Sequence, residues 1–410
     1  MGSEMCIRDS LGVEIAASGS FTVGIKNLCT KAKKAMIPLF RTIIQFRLPF
    51  RNALKLFLTF VEPILLYNAE NWASMTDQEI KKCKNNHSRI YQKSTLALPS
   101  VSQLKFLKFI LGVTTQCPTM AVLGETAQIP LMLKGYLRML TYWDRLRDLD
   151  DNSLVKMAYL ENVAMNTNWC QTIQVLNCSQ GLHNNLPNPP NTKFKTVAKK
   201  RIKDNFETFW RNRIDNREEE KKLAIYSQVK NEFKLDDYLQ LPHFRDRQRI
   251  SKFITSSHYL EVEKGRHHGK PREERTCQAC DQDTPEDEKH FLLHCPAYAN
   301  TRKEHLSPIN LATDSIAQVF TSNCPYNISQ YLKAALDIRD KLVNFKVTKL
   351  SLCGMKMNIS RGSDQNNNKI NTKLQARLDS NLKLRISRKC KGPPRPAVHK
   401  PTREDPSIAE

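Results

Sequence analysis

The chain has 410 residues, with 64 Lys+Arg against 41 Asp+Glu and a formal net charge of +23. That length allows two or three domains, and twelve cysteines are too sparse in it for a disulfide scaffold. So large a cationic excess favours nucleic acid as partner, because each Lys or Arg set on a phosphate releases counterions; an anionic membrane surface is the weaker competitor.

The first residues, MGSEMCIRDS, hold no apolar signal run. Residues 11–15, LGVEI, read as a short strand followed by a small-residue turn. From Phe21 to about Phe46, Ile25, Leu28, Ala32, Ala35, Met36, Leu39 and Ile43 recur at three- and four-residue steps with lysines between them. This pattern predicts an amphipathic helix. Pro49 opens the next helix, which breaks near Pro63. The apolar run 53–66 contains Lys55, Glu62 and Pro63, so it reads as a buried helix and not a membrane span. Thr76 with Glu79 three residues on fits a capping box.

VSQLKFLKFILGV (101–113) is apolar and basic, with Gly112 near its end. Pro130 precedes a strong helix whose face carries Leu133, Tyr136, Leu137, Leu140, Trp143 and Leu146–Leu149. Ordinary helix packing accounts for these aromatics. Asp144, Asp148, Asp150 and Asp151 read as a solvated helix end. Asn184–Asn191, NNLPNPPN, reads as a linker, with helices expected over 193–213 and 219–237. Residues 241–276 carry nine Lys/Arg against five Asp/Glu. Helices are expected again at 297–306 and 326–347, and 361–410 carries 12 Lys/Arg against five Asp/Glu with few aromatics, the pattern of a disordered basic tail.

One constellation has chemical meaning, Cys277-x2-Cys280-x9-His290-x4-Cys295. Two thiolates three positions apart reach one Zn²⁺ from a tight turn, and a His and Cys at i and i+5 close the tetrahedron from a following helical turn. Four protein ligands leave no open position for an activated water, so a zinc ion here is structural. His294 is a rival fourth ligand, as are His267 and His268 upstream, and a metal-free helix with buried cysteines is the bland alternative. Between the ligand pairs, Asp281, Asp283, Glu286, Asp287 and Glu288 offset positive charge or cap the helix bearing His290. They make the loop a poor phosphate binder. Cys29, Cys83, Cys117, Cys170 and Cys178 are isolated and read as reduced thiols, which with the absence of a signal run points to nucleus or cytoplasm and not to secretion. No phosphate-binding glycine loop, HExxH, GxSxG or nucleotidyl-transfer aspartate pair is present, and Glu62, Glu70 and Glu79 lack partners for a two-metal site.

Several blocks in one order resemble the C-terminal, post-palm part of non-LTR (LINE-type) retrotransposon endonuclease–reverse transcriptases. LGVEIAASGSFTVGIKNLCTKAKKAM is similar to the segment entering the polymerase thumb. Phe60 to Tyr67, closed by Trp72, resemble the family's VxPxLLYGxExW phrase, with Asn68 where glycine is typical. FLKFILGV (106–113), 121–146, NWCQTIQVL, KLAIYSQVKNEFKLDDYL and the Cys/His segment follow in family order, so the likeness covers roughly 11–306.

The resemblance implies a mainly α chain. Residues 1–10 are a leader unlike the family, 11–115 a thumb-like helical domain and 120–265 a helical connector. A CCHC zinc-binding-like element at 266–306, C-terminal helices at 307–350 and a basic disordered tail at 351–410 complete it. It places Cys277, Cys280, His290 and Cys295 at the ligand positions of structural Zn, and RNA or DNA as the partner, with other parts of a retrotransposon ribonucleoprotein. The family's polymerase motif and endonuclease lie upstream of the resemblance, so the chain is expected to be a remnant without its own catalytic centre. Alternatives are polymerase activity with a palm supplied in trans, a helical protein–protein interaction module, and a degenerate copy without function. Lys31, Lys33, Lys34, Arg41 and Arg47 are expected to lie along a phosphate backbone, with Arg245, Arg247, Arg249 and Lys252 as a second patch. Phe46 and Phe50 suit either base stacking or the core.

Overall fold

The computed structural model describes residues 12–16, 19–182, 193–216, 221–307 and 315–359, with the side chains of 221 and 345–359 outside the description. Helices of seven residues or more are α1 (Thr22–Gln45), α2 (Phe50–Phe60), α3 (Asp77–Asn85), α4 (Ser88–Leu96), α5 (Leu98–Leu111), α6 (Thr119–Thr126), α7 (Leu131–Arg147) and α8 (Leu154–Ala164). They continue with α9 (Asn168–Gln180), α10 (Phe194–Asp215), α11 (Phe244–Ile254), α12 (Glu261–His267), α13 (Ala299–His305), α14 (Ile316–Ser322) and α15 (Pro325–Ile359). Among the described residues the one β pairing is an isolated antiparallel bridge between Thr276 and Pro285. The fold is mainly helical. It divides into two compact units, Met1–Val343 and Asn344–Glu410, and of the second only the end of α15 is described.

Local rules place most of these helices. Pro49 and Pro130 stand at the N-caps of α2 and α7, and Thr76 with Glu79 closes the expected capping box on α3. Gly112 ends α5 in the left-handed conformation (φ +69°). Asn68, standing where the resembled phrase has glycine, is also left-handed at φ +57°, a conformation that asparagine tolerates better than most residues. On α7, Leu133, Tyr136, Leu140, Trp143 and Leu146 are buried, as the periodicity predicts, and the helix packs on the turn Ala69–Trp72, α10, α4 and α9. Pro130 brings no capping side chain, so α5 supplies the acceptors: Gln103 Oε1 takes the Leu131 N–H at 2.9 Å and Ser100 Oγ the Met132 N–H at 3.0 Å.

A single apolar core runs from Leu28 of α1 to Ala335 of α15 and spans the divisions expected near 115–120 and 265. Each of the four tryptophans finds an acceptor for its indole N–H: Tyr67 O for Trp72, Tyr159 Oη for Trp143, Glu70 O for Trp169 and Met120 O for Trp210. Gly124 permits the closest approach in this core. A Cβ there would meet Trp210 Cζ2 at 2.6 Å and also collide with Tyr226 Oη.

Three expectations are corrected. Residues 12–16 form no strand: Gly12 turns the chain at φ +65° and buried Val13 packs against Gly24 of α1. The helix expected over 219–237 is broken into a turn at Lys221–Leu223, one helical turn at Tyr226–Val229 and another at Asp237–Gln240. Beyond Val229 the chain folds around the buried ammonium of Lys230. Its Nζ donates to Lys234 O at 2.6 Å and Asp236 Oδ2 at 2.5 Å. Finally, α15 continues past 351 to Ile359; the linker at 184–191, the leader 1–10 and the tail beyond 359 lie outside the described residues.

Beside Lys230, Glu125 is fully buried and accepts a hydrogen bond from Tyr238 Oη. Burial, then the charge of Asp236, raises its carboxyl to about 8 against the pull of Lys230 and Tyr238. The folded state therefore favours the neutral acid. That contribution is fully present below the ordinary value of 4.5 and is lost as pH rises through about 8. Glu125→Gln, which is neutral at every pH, is expected to flatten this decline. Urea denaturation at a series of pH values should show the variant gaining on the wild type steadily from about pH 5 to pH 8.

Candidate metal centre and basic groove

Thr276 and Pro285 pair across a short hairpin, with Cys277 N–H donating to Thr284 O and Glu286 N–H to Arg275 O, each at 2.8 Å. The hairpin holds Cys277 and Cys280 at its turn. His290 and Cys295 follow on a single π-helical turn, His290–His294, closed by the Cys295 N–H on His290 O at 2.8 Å. That wider turn is what brings residues five apart onto one side.

The ligand atoms of Cys277, Cys280, His290 and Cys295 all lie within 4.8 Å of one another. Cys277 Sγ and Cys295 Sγ are 4.0 Å apart, and Cys280 Sγ is 3.4 Å from His290 Nε2. Tetrahedral zinc, with Zn–S about 2.3 Å and Zn–N about 2.0 Å, requires S···S near 3.8 Å and S···N near 3.5 Å. The four residues can therefore hold a metal ion. Thr284 Oγ1, 3.2 Å from His290 Nδ1, can accept its proton and leave the Nε2 lone pair facing the sulfurs.

Backbone N–H groups of Ala279 and Cys280 reach the Cys277 sulfur, that of Gln282 reaches Cys280, and that of Ala297 reaches Cys295. A hydrogen bond from Cys295 drives the Cys277 thiol down to about 3, although burial opposes this. Cys295 is raised by the same contact, and Cys280 by burial. A dication binding here would displace the protons of the thiols it takes as ligands. Of the rival ligands, His267, His268 and His294 are all exposed and stand outside the cluster.

The three acids that follow the hairpin anchor it. Glu286 is fully buried and receives Arg339 Nε at 2.6 Å and a second guanidinium nitrogen at 2.7 Å, together with the Glu261 N–H at 2.7 Å. Asp287 caps the π turn by accepting the His290 N–H at 2.8 Å, and it pairs with Arg272. Glu288 contacts His258 Nε2 and Ser256 Oγ, each at 2.9 Å. Arg302 donates to Leu292 O and Cys295 O, and Tyr331 Oη to Phe291 O, so the carbonyls of the ligand turn are also satisfied. Sequence reasoning assigned capping to these acids but missed Arg339, His258 and Tyr331, which act from distant elements.

The two basic patches separate. Arg47, from the end of α1, and Arg245, Arg247 and Arg249 of α11 line one cavity of about 1000 Å³, together with Lys108 and Lys333. Phe244 (39% exposed) and Tyr326 (53% exposed) line it too, and Asp246 is its one acid. Within that groove Arg247 differs from expectation. Its guanidinium is buried and donates to Leu241 O, Pro242 O and Leu48 O, so it ties loops together and is spent as a phosphate contact. Arg249 is half-committed, bonded to Asp246 and Ser329. Lys31 and Lys34 line a separate small cavity beside Glu14 and Asn27, Lys33 and Arg41 are exposed on α1, and Lys252 is partly buried on α11, all outside the groove. Phe50 is core, whereas Phe46 is exposed. The groove aromatics Phe244 and Tyr326 were missed because nothing in sequence sets them beside Arg47.

No helix among the described residues is long and apolar enough to cross a membrane. Cys280→Ser is expected to abolish stoichiometric zinc in purified protein measured by atomic emission, while His294→Ala retains it. Lowering the pH should release the zinc, because protons compete for the thiolates and His290.

The chain matches no protein-family model, no curated protein and no solved structure.

Proposed function

We propose that this chain is a nucleic-acid-binding, post-palm part of a LINE-type retrotransposon reverse transcriptase. In this reading α1–α5 form the thumb-like part, the following helices form the connector, and a structural zinc ion holds the Cys/His hairpin. The observation that supports it best is the convergence of Arg47 and Arg245, far apart in sequence, on one groove beside exposed Phe244 and Tyr326. Cations interleaved with exposed rings suit a single strand: phosphates meet Arg47, Arg245 and Lys333, and bases stack on Phe244 and Tyr326. Such contacts give affinity and salt dependence but little choice of sequence. No catalytic step is assigned, since the metal cluster has four protein ligands and no place for a reacting water.

A second reading, a protein-interaction module, draws on α8. There Leu154 is 82% exposed, and Val155, Met157, Leu160 and Val163 are exposed with it.

Fluorescence anisotropy with a labelled oligouridylate across a salt series separates the two. Binding is expected at low salt and should weaken as salt rises, with Arg47→Ala and Arg245→Ala each flattening the log–log slope by about 0.7. Phe244→Ala should cost about 1–3 kcal/mol. Absence of binding at low salt, or binding indifferent to salt, would favour the module.

A further inference from the structure

A second cavity, of about 740 Å³, lies between four elements that each contribute one cation. Lys108 comes from α5, Arg213 from the last turn of α10, Lys222 from the turn Lys221–Leu223 and Arg266 from α12. Among the described residues no acid lines it. The rest of the wall is uncharged and mixed, with Thr115, Gln116 and Thr119 beside Leu96, Met120 and Phe209. Behind the wall a single buried carboxylate, Glu263, serves two of the cations: it lies 3.8 Å from Lys222 Nζ and also contacts Arg266. Lys108 has no acid in its contacts; its Nζ donates to Thr115 O at 2.7 Å.

Around Lys108, Lys222 and Arg266, positive charge thus exceeds negative among the described residues, in a partly desolvated space. Burial lowers the affinity of Lys108, Lys222 and Arg266 for their protons, and a neighbouring cation adds to this in each case: Lys222 acts on Lys108, Arg266 on Lys222 and Arg275 on Arg266. Crowding of like charges from separate elements costs folding energy unless an anion offsets it. The space is of the size that encloses a small ligand.

We propose that this cavity binds the phosphate groups of a phosphorylated ligand, with Lys108, Lys222 and Arg266 as the charge-bearing contacts and the threonine hydroxyls and Gln116 as supplementary donors. The same chemistry serves a free polyphosphate-bearing small molecule or the phosphodiester backbone of a strand. The site shares Lys108 with the groove but none of Arg47, Arg245, Phe244 and Tyr326, so it does not rest on the groove reading.

Inorganic tripolyphosphate titrated into the full chain by isothermal calorimetry tests it. One equivalent should bind, Lys222→Ala should weaken binding about tenfold or more, and Lys222→Arg should restore most of it. The variant Lys84→Ala, exposed on α3 and outside both cavities, should bind tripolyphosphate as the wild type does. Lys222 receives the Ser256 hydroxyl on its backbone carbonyl, so the alanine variant keeps that contact. Failure of the wild type to bind at low salt, or equal binding by Lys222→Ala, overturns the proposal. If Lys222→Ala also weakens oligouridylate binding, the phosphates are those of a strand; if oligouridylate binding is unchanged while tripolyphosphate binding falls, they belong to a free ligand. Either result supports the site.

Discussion

Glu286 is a fully buried carboxylate, and the guanidinium of Arg339 meets it with two nitrogens. Leaving one member of such a pair alone in the interior costs about 3–5 kcal/mol. The hairpin that carries the first two metal ligands is therefore held to α15, because it cannot withdraw without stranding a charge. Glu288, two residues on, does the same toward His258 and Ser256 behind α11, and burial would raise its carboxyl were it not for His258, whose hydrogen bond and charge bring it down to about 2. Asp287, between them, turns to the metal side and caps His290. Three consecutive acids thus face three different partners.

This arrangement explains why the metal cluster is buried while the chain around it is so basic. The acids that a phosphate-binding loop would avoid are consumed internally, and the positive charge appears elsewhere, in the α1–α11 groove and in the cavity beside α12. Lys108 of α5 lines both. The hairpin lines neither cavity; Glu286 bonds it to Glu261 of α12 and Arg339 of α15, and α15 contributes Tyr326 and Lys333 to the groove.

Much of the fold was legible because its signals are local. The apolar steps of α1 and α7, the prolines before α2 and α7, the Thr76–Glu79 box and Gly112 each act within one or two turns. The ligand set was legible for the same reason, since its spacing is a property of one hairpin and one turn. What stayed hidden depends on residues distant in sequence. Lys230 reads as one more polar residue on a helix until Asp236 and Glu125 surround it. Arg247 reads as part of a phosphate-binding run, yet its partners are three carbonyls, one of them from Leu48. Arg339 carries no local mark of its pairing with Glu286. Ser100 and Gln103, polar residues on an apolar helix, make sense only against the uncapped start of α7.

Zinc at the Cys/His hairpin would act as a structural fastener, its order transmitted through Glu286 and Glu288. Backbone hydrogen exchange of the zinc-loaded chain, followed before and after chelation, tests it most directly. Chelation should speed exchange through 275–298 and also in α12 and in α15 from Tyr331 to Arg339, while α7 and α9 stay protected. Acceleration confined to the hairpin, or no change at all, would contradict it.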